Sequence, residues 1–109
     1  MANQCDVFTH SGGGFLFDGI CDGSILTIYE AFTANLPTVT IDINNQSTCP
    51  ITVIVARQSS PTPIMEVVPA DTDFSLTVDL VQNISVQCST GGGTCEFFVE
   101  LDISSCMCC

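Results

Sequence analysis

The chain has 109 residues, 46% of them hydrophobic, with one basic residue against 12 acidic ones and a formal net charge of −11. That length suits one domain with a modest core, and the apolar content excludes a disordered polar chain. The charge excludes partners recognised through Lys and Arg, so neither nucleic acid nor a membrane surface is expected, and no apolar run reaches spanning length.

The opening residues MANQCDVFTH have neither the basic nor the apolar segment of a secretory signal, so export is expected by another route, such as lysis. Residues 1–14 read as a flexible N-terminal connector, with Gly12, Gly13 and Gly14 as its hinge. Residues 15–103 read as the folded body. Phe15-Leu16-Phe17 opens it, and β signals follow at 24–32, 38–44, 51–57, 64–68, 74–80, 83–88 and 95–103. In 38–44, Val39, Ile41 and Ile43 share one face; in 95–103, Phe97, Val99 and Leu101 do the same. Asn44-Asn45, Ser59-Ser60-Pro61-Thr62-Pro63, Pro69 to Asp73 and Gly91-Gly92-Gly93 punctuate the strands. About eight short strands at roughly 8–12-residue spacing predict an all-β, two-sheet sandwich of the jelly-roll type. Residues 104–109 form a cysteine-rich tail. An immunoglobulin-like sandwich is the rival topology, weakened by the absence of tryptophan.

Eight cysteines in a chain this short mark a disulfide scaffold or a metal site, and spacing alone fixes no pairing. Cys88 and Cys95 flank a glycine-rich turn between two strand patterns, where opposed Cβ atoms fall roughly 4.5–5.5 Å apart, so an intrachain staple is expected. Cys49 precedes Pro50 at a strand entry and reads as buried or stapling. Cys5 stands on the connector, which spans about 45–50 Å when extended, enough to reach a neighbouring molecule. Cys21 lies on the turn-like Asp18–Gly23 segment and would be an accessible receptor for such an arm, unless the arm folds back on its own domain. Cys106, Cys108 and Cys109 close the chain as SSCMCC, a docking strip within or between molecules. Their C-x-C-C spacing departs from the paired knuckles of structural zinc, so no metal and no cofactor are assigned.

No catalytic residue is assigned. The single histidine, His10, is on the connector, no rigid element pairs it with a thiol, and the acidic residues are scattered as solvated groups. Gly12–Gly14 and Gly91–Gly93 lack the lysine and helix start of a phosphate loop.

Taken together, Cys5 with its Gly12-Gly13-Gly14 joint, Cys21 at the entry to the fold, strand 38–44 running into Asn44-Asn45-Gln46-Ser47-Thr48-Cys49-Pro50-Ile51-Thr52-Val53, and Val68-Pro69 before Phe74-Ser75-Leu76-Thr77-Val78 form a pattern over nearly the whole chain. It resembles the subunits of Bacillus endospore appendages, pilus-like fibres on spores of the cereus group. The resemblance implies jelly rolls joined edge to edge by strand pairing, with N-terminal connectors that form disulfides to neighbouring subunits. By that likeness Cys5 donates the bond, and Cys21 or a tail cysteine receives it. Staggered appendages carry a doubled cysteine on a longer arm; the lone Cys5 instead favours the ladder-like type, built of stacked rings. The expected partners are copies of the same chain, with another spore-surface protein as a further option, and the expected location is the spore surface after synthesis in the mother cell. The rival readings are a monomeric, disulfide-stapled binding module, a thiol metal-binding protein and a capsid-like jelly roll, the last opposed by the lack of a basic arm.

Overall fold

The computed structural model describes residues 7–31 and 36–106. Eight strands follow one another: β1 (Val7–Ile20), β2 (Ile25–Glu30), β3 (Thr38–Asn45), β4 (Ile51–Arg57), β5 (Ser60–Val68), β6 (Thr72–Val78), β7 (Val81–Cys88) and β8 (Thr94–Cys106). They form two four-stranded sheets, ordered β1-β8-β3-β6 and β2-β7-β4-β5, and every pairing is antiparallel. Strands β1 and β8, β2 and β7, β3 and β6, and β4 and β5 are partners. Such nested pairing is one long hairpin wound onto itself, the jelly roll, so the immunoglobulin-like alternative does not apply.

Period-two patterning builds the core. Val39, Ile41 and Ile43 of β3, Ile51, Val53 and Val55 of β4, Ile84 and Val86 of β7, and Phe97, Val99 and Leu101 of β8 are all buried between the sheets. Phe17 stacks on Phe97 with ring centroids 5.1 Å apart, which ties edge strand β1 to the interior.

Two strand boundaries depart from the sequence reading for identifiable reasons. Ser60, Pro61, Thr62 and Pro63 read as a turn, yet they open β5. This strand lies at the edge of its sheet, where a residue without an N–H removes no ladder bond on the open side. The second departure is at the termini. β1 runs through the triple glycine, with a register shift between Ser11 and Gly14, and its first residues pair with the last of β8, Val7 opposite Cys106. The ladder therefore takes in residues 7–14 and 104–106, which the sequence alone assigns to connector and tail. At 14 and 13 residues these two strands are nearly twice as long as most of the others. The molecule measures 58 × 27 × 19 Å, and its radius of gyration of 15.2 Å exceeds the roughly 13 Å of a compact globule of this length.

Candidate functional site

Two features can serve a function here: a cystine-closed end and a set of open sheet edges. The closed end lies where β1, β7 and the loop between β3 and β4 converge. Cys21, just past β1, is bonded to Cys49, with an S–S distance of 2.05 Å and Cα atoms 6.5 Å apart. Cys88 at the end of β7 is bonded to Cys95 at the start of β8, with Cα atoms 6.2 Å apart. Both bonds are buried, and the Sγ atoms of Cys21, Cys49 and Cys95 all lie within 4.8 Å of one another.

Cys21 differs from the sequence expectation of an accessible receptor. It is 2% exposed and already paired within the chain. The physical reason is its backbone: Cys21 N–H donates to Gly93 O at 3.0 Å and Cys21 O accepts from Gly92 N–H at 3.1 Å, which folds the segment inward against the glycine turn. That turn needs its composition. Gly91, Gly92 and Gly93 all have positive φ, and a Cβ on Gly93 would run into the Thr48 hydroxyl.

Sequence reasoning missed Asn45 and Ser47, the two buried polar residues among the described ones. Asn45 Nδ2 lies within hydrogen-bonding distance of the carbonyls of Cys49 (3.3 Å), Val68 (3.1 Å) and Pro69 (3.0 Å), while its Oδ1 accepts from Ser47 N–H at 3.0 Å. Ser47 Oγ accepts from Glu96 N–H at 2.8 Å and lies 3.8 Å from Cys95 Sγ. The signal was present. The inward alternation of Val39, Ile41 and Ile43 continues through Asn45, Ser47 and Cys49 in the same phase, past the end of the strand. Asn44-Asn45, read from the sequence as a turn, are thus the last two residues of β3, and the second of them plugs the core end.

The edges are the second feature. Strands β1 and β6 flank one sheet, β2 and β5 the other. Large exposed apolar side chains concentrate on three of these four: Leu16 and Ile20 on β1, Ile25 on β2, and Met65 and Val67 on β5. Edge β6 turns Asp73, Ser75 and Thr77 outward instead. On the outer face of its sheet, Asp42, Asp73 and Glu100 rim a cavity of about 420 Å³ beside Phe98. Three carboxylates without a basic residue repel a like surface, so this face is unsuited to stacking against another copy.

The remaining predicted site residues fall as follows. Gly12, Gly13 and Gly14 lie within β1 and Cys106 ends β8, whereas Cys5, Cys108 and Cys109 lie outside the described residues. Cys106 is therefore at the opposite end of the β1–β8 pair from the cystines and the glycines are midway, since Ile20 faces Thr94, Gly14 faces Glu100 and Val7 faces Cys106.

Residues 15–107 match the family model described as endospore appendages. The chain belongs to the endospore appendage family. A solved structure described by the words "Bacillus endospore appendages form a novel family of disulfide-linked pili" superposes with a TM-score of 0.65 at 15% identity, covering 94% of this chain and 92% of that one. At that identity it establishes a shared fold. A structure of infectious bursal disease virus, Gx strain, gives a TM-score of 0.44 at 12% identity over 96% of this chain and 32% of that one. No curated protein sequence matches. For an appendage-family member, the jelly roll is the frame on which any assembly must be built, and among the described residues it carries two internal disulfides.

Proposed function

We propose that this chain is a structural subunit of a disulfide-linked extracellular fibre on the spore surface, with no enzymatic role. Family membership over residues 15–107 is the observation that carries the reading. Subunits join by adding strands edge to edge, β5 of one against β1 of the next, because these edges belong to different sheets and both expose apolar side chains. A heterologous contact of this kind closes into a ring or continues as a filament according to its rotation.

With a net charge of −11, adjacent copies repel, and covalent links offset that repulsion. Cys5 on the connector is the donor, and the tail cysteines Cys106, Cys108 and Cys109 are receptors of a neighbour. Cys21 takes that role only by exchange: the Cys5 thiolate bonds Cys21 Sγ, the Cys21–Cys49 bond breaks, and Cys49 leaves as the thiolate. One cysteine on the connector, rather than two, supports stacked rings of the ladder-like type.

The test is denaturing electrophoresis of the purified protein with and without reductant, beside negative-stain microscopy of the same samples. Covalent multimers that collapse on reduction, from samples containing fibres, are the expected result. A sharp monomer in both lanes with no filaments would overturn the reading and leave a monomeric binding module.

A further inference from the structure

Four cysteines meet at one end of the sandwich, more closely than two separate disulfides require. The Sγ atoms of Cys21, Cys49 and Cys95 are mutually within 4.8 Å, although Cys95 is bonded to Cys88 and to neither of the other two. All four residues are buried.

The segments that carry them are held by hydrogen bonds that involve no sulfur. Cys21 is fixed to the glycine turn through both N–H and C=O; Thr48 N–H donates to Thr94 O at 2.9 Å; Cys88 N–H donates to Ser24 O at 3.0 Å; and Asn45 holds the Cys49 carbonyl. Opening both S–S bonds therefore leaves the thiols of Cys21, Cys49 and Cys95 close together in a closed end, with Cys88 beside Cys95.

That arrangement suits a soft divalent cation. Zinc–thiolate bonds near 2.3 Å put the sulfurs of a tetrahedral site about 3.8 Å apart. Cys95 Sγ lies within 4.8 Å of both Cys21 Sγ and Cys49 Sγ, and reduction frees those two from each other. Once reduced, each pair of thiols is free to separate by side-chain rotation, with Cys88 next to its former partner Cys95. Ser47, buried and 3.8 Å from Cys95 Sγ, donates its hydroxyl to Glu96 O at 2.9 Å and keeps a polar group beside that sulfur.

We infer that the reduced chain binds one thiophilic divalent ion, of which zinc is the type, through Cys21, Cys49, Cys88 and Cys95. A phosphine or dithiol reductant supplies four electrons, and with four protons the two disulfides become four thiols. The ion then displaces four protons as it takes the four thiolates. Metal holds in the reduced chain the same end that disulfides hold in the oxidised one. This site is separate from the tail thiols and does not depend on fibre assembly.

The experiment uses the full chain, reduced with a phosphine, desalted without oxygen and titrated with cobalt(II) as the spectroscopic probe. A variant with Cys5, Cys106, Cys108 and Cys109 all replaced by serine separates the core from the tail. It is expected to retain thiolate-to-cobalt charge-transfer absorption at one ion per chain, and Cys95→Ser in that background is expected to lose it. Because Cys95→Ser can also impair folding, alkylation of the unmutated chain is mapped by mass spectrometry in parallel. Zinc should slow modification of the four core cysteines by about tenfold or more while leaving the tail cysteines reactive. Absence of the cobalt–thiolate band in the tail-less variant, or equal alkylation of the core thiols with and without zinc, would overturn the inference.

Discussion

The two ends of the β1–β8 pair are built on opposite principles. At Ile20 and Thr94 the chain is locked: two disulfides, the Asn45 plug and a glycine turn close the end over buried sulfur. At Val7 and Cys106 the same two strands are joined by ladder pairing. Covalent bonds and a satisfied polar network make one end a rigid base, whereas a two-stranded ribbon is marginally stable by itself. The locked end holds the fold by its own covalent bonds, and the assembly proposed above draws on the open sheet edges instead.

The largest effect on this contrast should come from unlocking the base. Cys21–Cys49 closes 28 residues and Cys88–Cys95 closes 7. By chain-entropy arithmetic, replacing the first pair with serine costs about 3.5 kcal/mol and replacing the second about 2.5 kcal/mol. Urea midpoints of the two double variants, without reductant, should fall in that order. The opposite order would mean that native-state packing, not loop closure, sets the contribution.

Next in size is Asn45→Ala. It strips partners from the carbonyls of Cys49, Val68 and Pro69 at a fully buried position, and should cost about 2–3 kcal/mol with both disulfides intact. Denaturant unfolding measures it. A loss below about 1 kcal/mol would show that the cystines alone hold this end.

The open edge should respond in the other way. Met65→Glu combined with Val67→Glu lies on the exposed side of β5, so monomer stability should change by about 0.5 kcal/mol or less. Assembly should fail nonetheless, because two more carboxylates enter an apolar joint between chains already carrying a net charge of −11. Sedimentation and microscopy read the assembly, and filaments of normal yield would remove β5 from the joint.

The smallest effect concerns acid. Asp22, beside Cys21, accepts hydrogen bonds from the Ser24 hydroxyl and, at 3.0 Å, from Ser24 N–H, and these hold its carboxyl below the ordinary value of 3.8. A lowered folded-state value adds stability that is present above 3.8 and fades as pH falls through the folded value. The carboxyl is fully exposed, so the effect is slight. Thermal unfolding of Asp22→Asn and the parent chain should converge in strong acid and separate, with the parent higher, near neutrality.

Much of this molecule was legible in its residues. Alternation in Val39-Thr40-Ile41-Asp42-Ile43 and in Phe97 to Leu101 gave the inward faces, because a period of two leaves one face to bury. Turn chemistry marked most of the connections, and the alternation that carries Asn45, Ser47 and Cys49 inward was there to be followed further. The sequence by itself determined an all-β sandwich, an acidic surface and a cysteine framework, since these depend on local period, charge and count. Tertiary structure alone decided that Cys21 pairs with Cys49, that three sulfurs from two cystines share one pocket, and that prolines 61 and 63 are tolerated in an edge strand. Each of these depends on which strands become neighbours across dozens of residues, and no local pattern carries that information.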